Sequence, residues 1–137
     1  GSLLAGSKAL IERAARQRRM LGGALRQSGI VAAAGLFALD HHLTRLAEDH
    51  ANARLIAERL AADPRVEIDL EATRTNIVVF RLGPRAADAA AFVARAAREG
   101  VLLFAFGPRT VRFVTHLDVT REQCEQAAGA LVAALDG

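Results

Sequence analysis

The 137-residue sequence predicts an α/β chain in which a long helix leads into a small α+β region of mainly antiparallel sheet. Three observations predict it. Up to residue 62, apolar residues recur at helical spacing. After the stop at Asp63-Pro64, runs rich in β-branched residues are parted by Gly83-Pro84 and Gly107-Pro108. An alanine-rich helical segment follows each pair of runs, which sets the order β-β-α-β-β-α.

Taken in order, residues 2–5 (SLLA) read as the end of a short apolar strand, and Gly6-Ser7 as a turn. Ser7 is a suitable N-cap for a helix over residues 8–18, which Gly22-Gly23 then interrupts. From about Arg26 the chain is expected to be helical to Ala62. Its first part, residues 30–39 (IVAAAGLFAL), is apolar on every side, and a helix of that kind must be buried on every side. One short domain can hardly wrap it, so another domain or subunit is expected to cover it. The second part, residues 40–62, is amphipathic, with Leu43, Leu46, His50, Ala53, Ala57 and Leu60 on one face. Strands are expected at 66–70, 75–82, 101–106 and 110–115, with a helix over 86–98 closed by Gly100. Thr120-Arg-Glu-Gln123 has the form of a capping box that opens a last helix to about Leu135.

Composition narrows the function. Aromatic residues make up 4%, with no Trp or Tyr, which counts against a stacking surface for single-stranded nucleic acid. Seventeen of the 18 basic residues are Arg, Lys8 being the exception, and the net charge of +3 is not clustered as a DNA footprint requires. The longest uncharged run, residues 27–39, is shorter than the roughly 20 residues of a membrane span, so a soluble chain is expected. The single Cys124 excludes an internal disulfide framework and fits a reducing, cytoplasmic compartment. No signal peptide is visible.

Several residues are candidates for chemistry. Arg26 stands at or beside a helix start, where a cation is disfavoured unless an anion is shared. It suits an anion site built with backbone donors after the Gly-Gly turn, or a solvated side chain. Arg112 lies in an apolar strand, where alternation puts it with Val114 and opposite Val111 and Phe113. Its fork suits a substrate carboxylate, and equally an ion pair with a core acid or exposure on an edge strand. Arg13, Arg16 and Arg19 form a threefold-spaced stripe that suits phosphate or a wet helix face. His41, His42, His50 and His116 make no metal pattern, and His116 suits a catalytic or a hydrogen-bonded structural role.

Residues 1–7 (GSLLAGS), 18–30 (RRMLGGALRQSGI) and the Ala-Ala-Ala-Gly-Leu that follows closely resemble the low-specificity L-threonine aldolases. So do residues 46–52 (LAEDHAN), Thr75-Asn76 opening a strand and residues 111–119 (VRFVTHLDV). These are pyridoxal 5'-phosphate (PLP) enzymes of the aspartate-aminotransferase fold type, fold type I. The resemblance implies a C-terminal portion: residues 1–62 as the end of the large cofactor domain with connecting and interface helices, residues 63–137 as the small domain. In the family, the Schiff-base lysine precedes the Gly-Ser that is here Gly1-Ser2, in a Ser-Lys-Gly-Leu stretch that this sequence lacks, and Lys8 does not match it. The ring-stacking histidine and the acid facing the pyridine nitrogen belong to the large domain, so this chain alone is expected to be inactive.

By the same resemblance, Arg112 takes the place of the arginine that binds the substrate carboxylate, so that the bond to be cleaved stands across the cofactor ring. Arg26 matches one that reaches the cofactor-phosphate side of a neighbouring subunit's site, and Arg19 stands where many relatives carry Lys. His50 is expected to be structural. The implied reaction cleaves L-threonine or L-allo-threonine, as β-hydroxy-α-amino acids, to glycine and an aldehyde in a homo-oligomer, dimer or tetramer. Two rivals are a different PLP lyase of fold type I, such as a β-eliminating lyase, and a non-enzymatic α+β module for binding or oligomerisation.

Overall fold

A computed structural model describes residues 2–136; Gly1, the first residue of the opening block, and Gly137 lie outside the described residues. The chain divides into two compact units, Gly1–Thr44 and Arg45–Gly137.

The first unit holds α1 (Lys8–Met20) and α2 (Gly29–His41). Residues 2–5 do not form the expected strand. Four apolar-leaning residues supply β propensity but no neighbouring strand to pair with, and an unpaired strand has no ladder to stabilise it. Ser7 caps α1 by accepting the Leu10 N–H at 3.3 Å. The helix ends as Gly22 takes φ +77, which lets Gly22 N–H reach Arg19 O and Gly23 N–H reach Arg18 O. These two bonds satisfy terminal carbonyls that would otherwise lack donors. No residue of α2 is buried: Ile30 is 79% exposed and Phe37 57%.

The expected single helix from Arg26 to Ala62 is two helices. α2 stops at His41, residues 42–45 turn, and α3 (Leu46–Ala61) begins the second unit. No Gly or Pro marks this break. It falls where the all-round apolar pattern gives way to a stripe, and Arg45 forks onto Asp49 as α3 starts, at 2.9 and 3.0 Å. The buried face of α3 is Asp49, Asn52, Ala53, Ile56, Ala57 and Leu60. Leu43 and Leu46, expected on that face, are exposed.

The rest of the second unit follows as β1 (Val66–Glu67), β2 (Ile77–Leu82), α4 (Ala89–Arg98), β3 (Phe104–Ala105), β4 (Thr110–Val114) and α5 (Arg121–Ala133). The expected β-β-α-β-β-α order is present, and all pairings are antiparallel in the order β1-β2-β4-β3. The outer strands are shorter than expected. Past Glu67 the chain turns away, because the Asp69 carboxylate accepts the N–H groups of Glu71 and Ala72. α4 is capped by Asp88, whose side chain accepts Ala91 N–H at 2.8 Å, and ends at Gly100 with φ +80. The Thr120–Gln123 capping box is formed in both directions. One face of the sheet packs on the helices: Val78, Phe80, Leu82, Val111 and Phe113 join Leu60, Phe92 and Leu131 in the core. The Phe80 and Phe92 rings meet edge-on with centroids 5.9 Å apart.

Candidate functional site

Arg112 sits on β4, between its two neighbours, opposite Val79 of β2 and Phe104 of β3. Directly opposed residues share a face. Arg112 therefore lies with Ile77, Val79, Phe104 and Val114 on the sheet face away from the core, as alternation along the strand predicts.

Partnerships separate Arg112 from the other half-buried arginines of this unit, whereas Arg59, Arg81, Arg85 and Arg98 are exposed to solvent. Arg45 holds Asp49, Arg54 holds Glu58 at 2.6 Å, Arg65 holds Asp63 at 2.7 Å, and Arg121 lies 3.3 Å from Glu125. Arg95 and Arg109 donate to backbone carbonyls. Among the described residues, Arg112 has neither kind of partner; its Nε is buried and makes no hydrogen bond. What surrounds the guanidinium is aromatic. Its Cζ lies 5.6 Å from the centroid of the Phe104 ring and 5.7 Å from that of Phe106. Ring faces attract a cation without using up its N–H donors. The remaining donors are thus left for a planar anion, which a guanidinium binds with two parallel hydrogen bonds.

The end of β4 is pinned three residues beyond Arg112. Thr115 is 2% exposed, and its hydroxyl donates to Asp49 O at 2.6 Å. Asn76 Nδ2 donates to Thr115 O, and Thr115 N–H donates to Asn76 O. Three of the blocks that carry the family resemblance, 46–52, Thr75-Asn76 and 111–119, therefore meet at one buried threonine. Asp49 and Asn52 were not singled out from the sequence. For Asp49 a signal was present: Arg45 precedes it by four residues, the spacing at which helical side chains meet.

The other candidates lie elsewhere. Arg19 is in the last turn of α1 and Arg26 in the turn before α2; both are exposed, with no acidic partner among the described residues. Ser28, the N-cap of α2, makes no side-chain cap bond, and the first turn holds no acid, so N–H groups there are left without side-chain acceptors. Arg19 and Arg26 belong to the first unit and Arg112 to the second, so neither unit gathers all three. His50 is half-buried on α3. His116 is exposed, with Nδ1 3.3 Å from the Asp118 carboxylate. A cavity of about 500 Å³, bordered by Ile56, Leu103, Phe113, Cys124 and Leu131, lies on the helix side of the sheet, and Arg112 does not line it. Burial pushes the Cys124 thiol pKa up, which keeps it protonated and unreactive.

Residues 1–82 match the family model described as "Beta-eliminating lyase". The chain is 44% identical over 128 residues to the low specificity L-threonine aldolase of Escherichia coli K12, covering 93% of this chain and 36% of that protein. It is 33% identical to low-specificity L-threonine aldolase 1 of Arabidopsis thaliana, covering 88% of this chain and 34% of the relative. The chain thus spans about a third of the length of the curated relatives it matches. Among solved structures, ornithine delta-aminotransferase of Plasmodium falciparum superposes with a TM-score of 0.54 at 15% identity, over 68% of this chain and 25% of that one. A mutant protein of Mycobacterium tuberculosis superposes with a TM-score of 0.55 at 27% identity, over 79% and 23%.

Proposed function

The chain belongs to the beta-eliminating lyase family, and from that premise we propose that it is the C-terminal part of a PLP-dependent aldolase. The substrate is L-threonine or L-allo-threonine: the Cα–Cβ bond breaks, the β-hydroxyl gives up its proton, acetaldehyde leaves, and Cα gains a proton to become glycine. Identity of 44% to an aldolase over 93% of this chain supports the aldolase reading. In it, residues 1–62 close the large domain and cross to the small domain of residues 63–137.

The observation that carries the substrate assignment is the guanidinium of Arg112, which has a buried, unpartnered Nε and, among the described residues, no carboxylate beside it. An amino-acid carboxylate is the acid this fork lacks. Holding it removes a rotation from the substrate and so orients the bonds at Cα, a positioning role that decides which bond breaks. PLP, when bound, supplies the electron sink for the pair that the broken bond leaves on Cα. Arg26 and Arg19 would serve the phosphate side of a neighbouring subunit's site. The exposure of both without acidic partners among the described residues supports this, as does, for Arg26, the nearby start of α2 with no acid in its first turn.

The bare apolar surface of α2 supports its burial against another domain or a second subunit, the latter in a homo-oligomer, because apolar patches of this kind mark interaction surfaces. A lone, buried Cys124 supports a reducing, cytoplasmic compartment.

The test uses the full-length enzyme with PLP. Threonine should yield glycine and acetaldehyde in equal amounts. Arg112→Leu should raise KM for threonine roughly 10- to 100-fold, the worth of a charge-assisted hydrogen bond. Elimination from β-substituted substrates without glycine from threonine would decide for the β-eliminating alternative, and an unchanged KM would remove Arg112 from the site.

A further inference from the structure

We propose that Phe104 and Phe106 are positioning residues for Arg112: their rings hold its guanidinium in place of an acid, so that its hydrogen-bond donors stay free for the substrate. The proposal rests on the assignment of Arg112 to the substrate carboxylate. Its own observations are separate from that assignment. Phe104 is set directly across the strand from Arg112, and Phe106, two residues on, falls on the same face. Both rings stand within 5.7 Å of Arg112 Cζ, and they meet each other edge-on, with centroids 6.2 Å apart at 64°.

The energetics favour this arrangement over an ion pair. A carboxylate beside Arg112 would occupy the same fork that a substrate needs, and the substrate would have to displace it. An aromatic face attracts the cation through its quadrupole and leaves all the N–H groups available. The rings also keep water from part of the guanidinium, which strengthens the bonds it makes to an anion. Packing within this chain does not account for their presence: Phe104 is 57% exposed and Phe106 63%, and neither belongs to its buried core. Two large apolar side chains left open side by side against one arginine, which has no acidic partner among the described residues, are explained by what they do to that arginine.

The experiment uses the full-length PLP enzyme with Phe104→Leu, Phe106→Leu, the double variant, and Phe104→Tyr with Phe106→Tyr. Leu keeps the apolar surface and removes the ring quadrupole; Tyr keeps the ring. Neither ring belongs to the buried core of this chain, and Tm is measured alongside to detect any loss of packing in the full-length enzyme. The double Leu variant should raise KM for threonine and Kd for glycine roughly 5- to 30-fold, with kcat within about twofold of the parent and Tm unchanged. The Tyr pair should behave as the parent does. Unchanged KM and Kd, a loss confined to kcat, a change that tracks a fall in Tm, or Tyr as harmful as Leu would overturn the proposal. Arg112→Leu, run in parallel, separates the two ideas. If that variant weakens substrate binding and the double Leu variant does not, only the aromatic role fails; if Arg112→Leu itself leaves KM unchanged, the substrate assignment fails first.

Discussion

Val78, Phe80, Val111 and Phe113 lie under the helices and are nearly closed to solvent, while Ile77, Val79 and Val114, their neighbours along the same strands, are 42–50% exposed. Both faces are apolar in sequence, so hydropathy alone does not distinguish them. Charge does. Two half-buried arginines elsewhere in this unit are neutralised: Arg65 by Asp63 and Asp136, with a further hydrogen bond to Leu135 O, and Arg45 by Asp49. On the open side Arg112 has two phenylalanine rings and, among the described residues, no acid. A face built for stability saturates its polar groups internally, and a face built to bind something leaves one group unsaturated.

This contrast is breakable by substitution. Phe80→Ala should cost about 3–5 kcal/mol of stability, because it empties a site closed on all sides, whereas Val79→Ala next to it should cost under about 1 kcal/mol. Urea unfolding checks both; comparable losses would mean that the open face is packed as tightly as the closed one. Thr115→Val should cost about 0.5–1.5 kcal/mol, the net worth of the buried hydrogen bond that its hydroxyl donates to Asp49 O. If the node at Thr115 also holds Arg112 in place, that variant should raise KM for threonine by less than Arg112→Leu does. The smallest effect concerns pH. The hydrogen bonds from Arg65 hold the Asp63 carboxyl at about 2, below its ordinary 3.8. A depressed carboxylate pKa contributes stability above the unfolded value and loses it as pH falls through the folded one. Stability should therefore decline between about pH 4 and pH 2, and Asp63→Asn should flatten that part of the profile in thermal melts.

Local chemistry made much of this legible beforehand. The Thr120–Gln123 box, the stop at Asp63-Pro64 and the alternation that puts Arg112 opposite Phe113 each depend on residues within a few positions of one another. The break at residues 42–45 was not legible, because no breaker residue stands there and helix propensity is too weak a guide to locate it. The polar side chains buried on α3 were missed for a related reason. Asp49 and Asn52 look like solvent residues until Thr115, just past the end of β4, is brought against Asp49 from 66 positions away.

By itself, the sequence determined the order of elements after residue 63, the caps of α1 and α5 and the side of β4 on which Arg112 falls, since periodicity and capping are short-range properties of the chain. Only the tertiary structure decided that Arg112 would have aromatic rings and no acid beside it. Which side chains meet across β3 and β4 is set by strand register, and register emerges only when the strands pair.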